Sequence, residues 1–585
     1  MLLKGIDWTI IFAFFGVSLL IGILSHRQAG KDTRSFFLSG RNMPWWLLGV
    51  SMVATTFSAD TPNLVTDIVR QNGVAGNWVW WAFLLTGMLT VFVFAALWRR
   101  SNVLTDLEFY ELRYSGKAAA FLRGFRAIYL GFFFNVMIMA TVSLAAIKIG
   151  AVLFGFSPQK TLLIASIVTV VYSSLGGLRG VLITDFLQFL MAMVGTVLAA
   201  VFVLGRPEIG GLSKLLQHEA VASKTAFFPD FSRPEIYVPM FLMPLAVQWW
   251  SVWYPGSEPG GGGYIAQRML AARDEKHAVG ATFFFNLAHY ALRPWPWILI
   301  ALASLVVFPD LESIATAFPH IDRAILGHDL AYSAMLKLLP AGLLGLVIAS
   351  LVAAYMSTIS THLNWGASYL VHDFYRRFLA PDASERHLVM VGRLSTVILM
   401  LVAALLALWL ENALQAFHIL LQIGAGTGLI FILRWFWWRV NPWSEVTAMT
   451  VSFLIAIGFE FVFPGKLASH WQMLIGVVLT TTAWMVVTFL TKPGDEKVLS
   501  AFCHTINPPG PGWEKIVPRE QRPASGSSLP RGILLMFLGT CLIYMTLFST
   551  GYWLYGNVLL GSITLVLACA SATALFILIK RPERV

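Results

Sequence analysis

Residues 339–364 read LPAGLLGLVIASLVAAYMSTISTHLN, and the run continues through Trp365 to a charged end, DFYRR, at 373–377. The stretch is long and apolar enough to cross a bilayer. Its middle nevertheless carries four hydroxyls, on Ser357, Thr358, Ser360 and Thr361. Ala354, Ser357, Thr358 and Thr361 fall at i, i+3, i+4 and i+7, so they share one helix face. That face offers oxygen atoms and small side chains with no fixed charge. Two readings fit it. Hard cations bind through oxygens, so the face can hold an ion such as Na+. Small hydroxyl residues also let membrane helices pack closely and bond to one another.

The rest of the chain places this stretch in a membrane. Of 585 residues, 57% are hydrophobic and only 12% charged, and the mean hydropathy is +0.71. These values specify an all-α polytopic membrane protein. Cys503, Cys541 and Cys569 are far apart and lack metal-ligand spacing, so neither a disulfide nor structural zinc is expected. Fifteen candidate spans follow: 8–24, 44–69, 78–98, 121–153, 161–174, 181–204, 238–254, 279–308, 332–371, 388–410, 413–433, 445–463, 472–490, 532–555 and 558–579. The ninth is too long for a single crossing and is expected to begin with an interfacial piece. The first is followed by the positive charges Arg27, Lys31 and Arg34 and shows no small-residue cleavage site, so it reads as a spanning helix and not a signal peptide.

Charge orders these spans. With the N-terminus outside, the inside segments hold 29 of the 41 Lys and Arg, the outside segments 9 and the spans 3. The excess predicts a multi-pass protein of the cell (inner) membrane, N-terminus outside and C-terminus cytoplasmic. It also explains the net charge of +11 without a nucleic-acid partner.

Two spans are interrupted. The second contains GVSMVATTFSADTPN at 49–63, and the seventh runs into YPGSEPGGGG at 254–263. Polar residues with Pro or Gly free backbone groups that lipid cannot satisfy, so such breaks persist where they line a watery site. The two breaks open successive sets of five spans. Five is odd, so the second set enters from the opposite face, the arrangement of a secondary transporter with inverted repeats. The expected division is 1–43, an extra helix with its inside loop; 44–204, the first repeat (core helices 1–5); 205–237, an outside loop; 238–440, the second repeat (core helices 6–10); 441–490, two accessory helices; 491–531, a flexible Pro-, Gly- and Ser-rich inside linker; and 532–585, two final helices.

Several short pieces carry a resemblance: SFFLSGR at 35–41 with Trp45 and Trp46, GGL with TDFLQ within 176–188, QRMLAAR at 267–273, AAYMST at 353–358 and DFYRR at 373–377. In this order and spacing, over about residues 8–490, the chain resembles the sodium:solute symporter family, which includes sodium/glucose, sodium/proline and sodium/sialic acid transporters. The resemblance implies a LeuT-type 5+5 inverted-repeat core within about fifteen transmembrane helices. It implies a sodium site from the carbonyls of Ala54, Phe57 and Ala354 and the hydroxyls of Ser357 and Thr358. It also implies a possible second sodium site at Asp185, Ser360 and Thr361; the competing role for Asp185 is a carboxylate in the first turn of a helix.

A solute should bind near the midplane between the broken helices. Thr56, Asp60 and Thr61 lie on the first break. Gln422 falls where the resemblance places a solute-binding Gln. Arg293, in HYALRPWPW at 289–297, is a charge at mid-span, and such charges face a cavity or a partner. It either binds solute or pairs with Asp60 or Glu258, and pairing is the favoured expectation. Trp253 and Tyr254 are candidate gate residues. His289, His362 and His418 read as hydrogen-bonded packing residues. No nucleophile–base set, HExxH or phosphate loop is present, so an enzyme is not expected. The expected function is Na+-coupled symport of a small polar solute (sugar, polyol, amino acid or organic acid), with Na+ as the coupling ion, no cofactor, and a monomer in the bilayer. The alternatives are a proton-coupled carrier of the same fold and a transporter-derived sensor.

Overall fold

A computed structural model describes residues 3–29, 38–251, 258–410, 413–522 and 528–581. Among the described residues, ten helices are long and apolar enough to cross a membrane, and three shorter apolar helices accompany them. The long elements, in chain order, are α1 (Gly5–Ala29), α2 (Trp45–Thr56), α3 (Thr61–Asn72), α4 (Val74–Ser101), α5 (Gly116–Phe154), α6 (Pro158–Leu204), α7 (Gly263–Ala271), α8 (Glu275–Val307), α9 (Leu343–Leu379), α10 (Glu385–Ala407), α11 (Ala413–Phe436), α12 (Pro442–Val462), α13 (Ser469–Leu490), α14 (Leu529–Leu554) and α15 (Val558–Lys580). The interior elements are α5, α8 and α9. In α5, 89% of the apolar window is buried against protein, compared with 22% in α15, which therefore faces lipid.

The first break is where the sequence put it. α2 stops at Thr56 because the Phe57 backbone leaves helical geometry (φ −84°, ψ 72°), and Pro62 opens α3 in the first turn, where its missing N–H costs nothing. The second break is more extensive. The described part of span 238–254 is a π turn (Val238–Leu242), a short helix (Met243–Ala246) and a 3-10 turn (Gln248–Trp250), not a single helix. Gly260 and Gly261 then take φ of +87° and +90°, which L side chains rarely adopt. A Cβ at Gly260 would sit 2.7 Å from the Phe94 ring.

Two expectations change and one holds. Spans 161–174 and 181–204 are one helix, α6, with no loop at 175–180. No proline interrupts 159–204, and the Gly176–Gly177 pair weakens the hydrogen-bond ladder without ending it. The ninth run divides as expected, into a short helix Leu330–Leu336 and α9. The part 491–522 of the stretch read as a flexible linker is docked: Glu496–Ile506 is helical, Phe502 and Trp513 are buried, and the Trp513 indole donates to the Trp435 carbonyl at 2.8 Å. Its aromatic residues find a core at the end of α11, which outweighs its turn-rich composition.

The packing centres on α2, which lies against α6, α8 and α9. α1 packs on α6 and α9. There the buried Asp7 carboxylate accepts the backbone N–H groups of Gly342 (2.7 Å) and Gly345 (2.8 Å), capping the start of α9. α14 packs on α4 and on the π turn of α8, where the Trp295 indole donates to the Leu547 carbonyl (3.2 Å) and the Tyr544 hydroxyl to the Trp81 carbonyl (2.7 Å). Asp7→Ala is expected to lower stability by about 1–2 kcal/mol, read as a lower unfolding temperature of the purified protein; an unchanged temperature would remove the capping role.

Candidate functional site

The hydroxyl face of α9 meets the end of α2. The Thr358 hydroxyl donates to the Thr55 carbonyl at 2.9 Å, and Thr55 Oγ1 lies 3.4 Å from Thr361 Oγ1. Ala54, Phe57, Ala354, Ser357 and Thr358 are all buried there. Because α2 ends at Thr56, its last carbonyls are not all consumed by a following turn. Carbonyl and hydroxyl oxygens thus converge in a buried crossing, a donor set that fits a hard monovalent cation.

Asp185 of α6 closes one side of this crossing. Its carboxylate accepts the hydroxyls of Ser51 on α2 (2.5 Å) and Ser357 on α9 (2.6 Å). Arg268 of α7 stands 4.0 Å from Asp185 and donates to Ser51 (3.3 Å) and Thr361 (3.1 Å). Arg268 lies in the QRMLAAR run but had not been singled out; an arginine in a short segment after the second break was the available signal. Of the residues grouped with Asp185, Thr361 reaches the cluster through Arg268. The Ser360 hydroxyl instead turns onto its own helix, donating to the Ser357 carbonyl at 3.1 Å.

Beside the crossing lies a cavity of about 500 Å³, within the range of small-molecule sites. Thr56, Asp60, Thr61 and Arg293 all line it. Trp80, Phe83 and Tyr290 supply an aromatic wall, in which Trp80 stacks on Tyr290 with ring centres 5.8 Å apart. Arg293 reaches the cavity because Pro294 and Pro296 follow it and the preceding turn, Ala288–Leu292, widens to a π turn. Such turns recur at functional sites. Its guanidinium contacts Thr56 Oγ1 (3.4 Å) and His289 Nε2 (3.2 Å) and lies over the Trp297 ring. The expected pairing with Asp60 or Glu258 is not found. Among the described residues no carboxylate oxygen comes within 4.0 Å of Arg293, and Glu258 is bound by Arg126 and Arg434. His289 is hydrogen-bonded and packed as expected, on Thr56 at 3.2 Å and against the Trp80, Phe285 and Tyr290 rings, and it also lines the cavity. His362 does pack, against Asn135.

Buried polar atoms around this cavity lack partners: Ser58 Oγ, Asp60 Oδ1, both amide atoms of Asn63 and Arg293 Nε. Each unpaired atom costs about 1–3 kcal/mol, so the wall is built to meet a polar guest. Gln422 does not line the cavity. Its amide donates to Gln472 of α13 at 2.7 Å, and its neighbour Leu420 faces the space instead. Trp253, Tyr254 and the His418 side chain fall outside the described residues.

The chain is similar to known proteins over most of its length. A family model described as SSF: Sodium:solute symporter family matches residues 36–451. The sodium/glucose cotransporter of Vibrio parahaemolyticus is 26% identical over 508 residues, covering 83% of this chain and 91% of that protein. Sodium/myo-inositol cotransporter 2 of Homo sapiens is 25% identical over 579 residues, covering 88% and 80%. Among solved structures, the substrate-bound outward-open state of a Na+-coupled sialic acid symporter matches with a TM-score of 0.66 at 20% identity, over 84% of this chain and 99% of that one. That likeness is one of fold.

Thr358→Ala and Ser357→Ala each remove one oxygen from the α2–α9 crossing. Each is expected to raise about tenfold the Na+ concentration that half-maximally stabilises the purified protein against heat, and Thr358→Ser should restore it. Unchanged midpoints in both alanine variants would take Na+ away from this crossing.

Proposed function

The chain belongs to the sodium:solute symporter family and is a Na+-coupled solute symporter, not an enzyme, and from that premise we propose that it carries a neutral polyhydroxylated solute, a sugar or cyclitol, into the cell. The observation behind this reading is the set of unpartnered polar atoms on Ser58, Asp60, Asn63 and Arg293 around one cavity with an aromatic wall. Hydroxyl groups donate and accept, so one solute can satisfy both the acceptor Asp60 and the donor Arg293. Asp67, Asp329 and Lys148 also line the cavity, so carboxylates outnumber cations there. A neutral solute adds no charge to this wall, whereas an organic acid would bring a further anion to it. The relatives named for glucose and myo-inositol point to the same class.

In this reading Na+ is held by the carbonyls of Ala54, Phe57 and Ala354 and the hydroxyls of Ser357 and Thr358. Only a few residues of backbone separate these oxygens from Thr56, Asp60 and Thr61. An ion that fixes the end of α2 against α9 therefore also fixes the solute wall, and each ligand raises the affinity for the other. The membrane potential favours entry by about 2.3 kcal/mol per charge per 100 mV. The paired breaks support a 5+5 inverted repeat over 44–204 and 238–440. The distribution of Lys and Arg supports an outside N-terminus and a cytoplasmic C-terminus in the inner membrane.

Proteoliposomes are expected to accumulate labelled glucose or myo-inositol under an inward Na+ gradient and not under a pH gradient alone. Arg293→Ala should raise the solute KM about tenfold or more while keeping the Na+ dependence. Accumulation driven by pH alone would overturn Na+ coupling. Heat stabilisation by amino or organic acids, with none from sugars or cyclitols, would overturn the solute class.

A further inference from the structure

Five buried side chains form a charge cluster that neither the ion crossing nor the solute cavity uses. Glu258, in the second break just ahead of α7, is held by Arg126 of α5 and, at 3.0 Å, by Arg434 of α11. Arg434 also pairs with Glu445 of α12 at 3.2 Å, and Glu445 accepts the Tyr114 hydroxyl at 2.6 Å. Glu258, Arg126, Arg434 and Glu445 are each no more than 2% exposed. Buried ion pairs give little net stability, but losing one partner strands a charge, and that suits a switch between two arrangements.

The position of Glu258 gives the cluster a role. Phe83 and Tyr290 on one side, and Leu420 on the other, line the solute cavity. Behind Phe83 and Tyr290 lies a space of about 20 Å³, bounded by Gly261, Asn286 and Glu258. Behind Leu420 lies a second of about 20 Å³, bounded by Arg126, Thr427 and Glu258. Each has room for about one water. Each space shares a wall with the cavity, and both are bounded by the same carboxylate. Glu258 also sits beside Gly260 and Gly261, whose positive φ gives this segment a backbone that other residues would strain.

We propose that Glu258 is the latch of the exit path. Paired with Arg126 and Arg434, it ties the second broken stretch to α5 and α11 and closes the route beneath the solute cavity. Release of an arginine opens that route to solute and Na+. The proposal rests on the symport reading. Glu258 acts as a positioning residue: it touches neither the ion crossing nor the solute wall.

The test uses the full chain with Cys503, Cys541 and Cys569 replaced by alanine and with Thr427→Cys as a reporter in the path. A hydrophilic thiol reagent is applied in Na+ without solute. Glu258→Gln, and separately Arg434→Gln, are expected to raise the labelling rate at position 427 roughly tenfold or more while Na+-dependent heat stabilisation by glucose or myo-inositol persists. Glu258→Asp should return the rate toward that of the parent. If Glu258→Gln does not fold, Arg126→Lys carries the same expectation. Folded variants labelled no faster than the parent would overturn the latch. Absence of Na+-driven uptake in the parent would instead overturn the symport reading, so the two failures are distinguishable.

Discussion

The structure depends on one crossing, where the broken end of α2 lies against the hydroxyl face of α9. The Thr358 hydroxyl reaches the Thr55 carbonyl, and Asp185 draws in Ser51 from one helix and Ser357 from the other. A continuous α2 would spend these carbonyls on its own next turn. Phe57 and Pro62 stop the helix, and the backbone oxygens become available to something outside it. The apolar surroundings make every oxygen there count, because no water is at hand to replace a missing partner.

The solute cavity follows from the same interruption. Residues 57–60 leave the helix and bring Ser58 and Asp60 to the wall that Thr56 and Thr61 complete. The opposite wall comes from α8, whose π turn and two prolines aim His289 and Arg293 inward. Irregular backbone on both sides of one space is what lets a membrane interior present so many polar atoms. α14 supports the outer side of that wall, bonding to Trp295 and Trp81. α14, whose sequence suggests no role, is thus part of the scaffold that keeps the irregular turns in place, and α15 packs on α14.

Buried charge is held in separate groups. Arg293 lines the cavity with its guanidinium on neutral groups and an indole face. Arg268 balances Asp185 at a distance of 4.0 Å. Arg126 and Arg434 grip Glu258. In an apolar interior these arrangements are restrictive, since each cation must have its own oxygen partners or ring faces.

The sequence by itself determined the helical membrane class, the position of both breaks and the oxygen-bearing face of α9. Each is a local matter of hydropathy, of Pro and Gly placement, or of helical period. It also pointed to Thr56, Asp60, Thr61 and Arg293, since a polar residue at bilayer depth must face something. Only the tertiary structure decided what each of them faces. Arg293 gained a cavity and not a carboxylate, because Arg126 and Arg434, distant in sequence, had taken Glu258. Gln422 turned to Gln472 on an accessory helix, and Arg268 arrived beside Asp185. Partner choice among buried polar groups depends on which helices become neighbours, and no periodicity within a single segment encodes that.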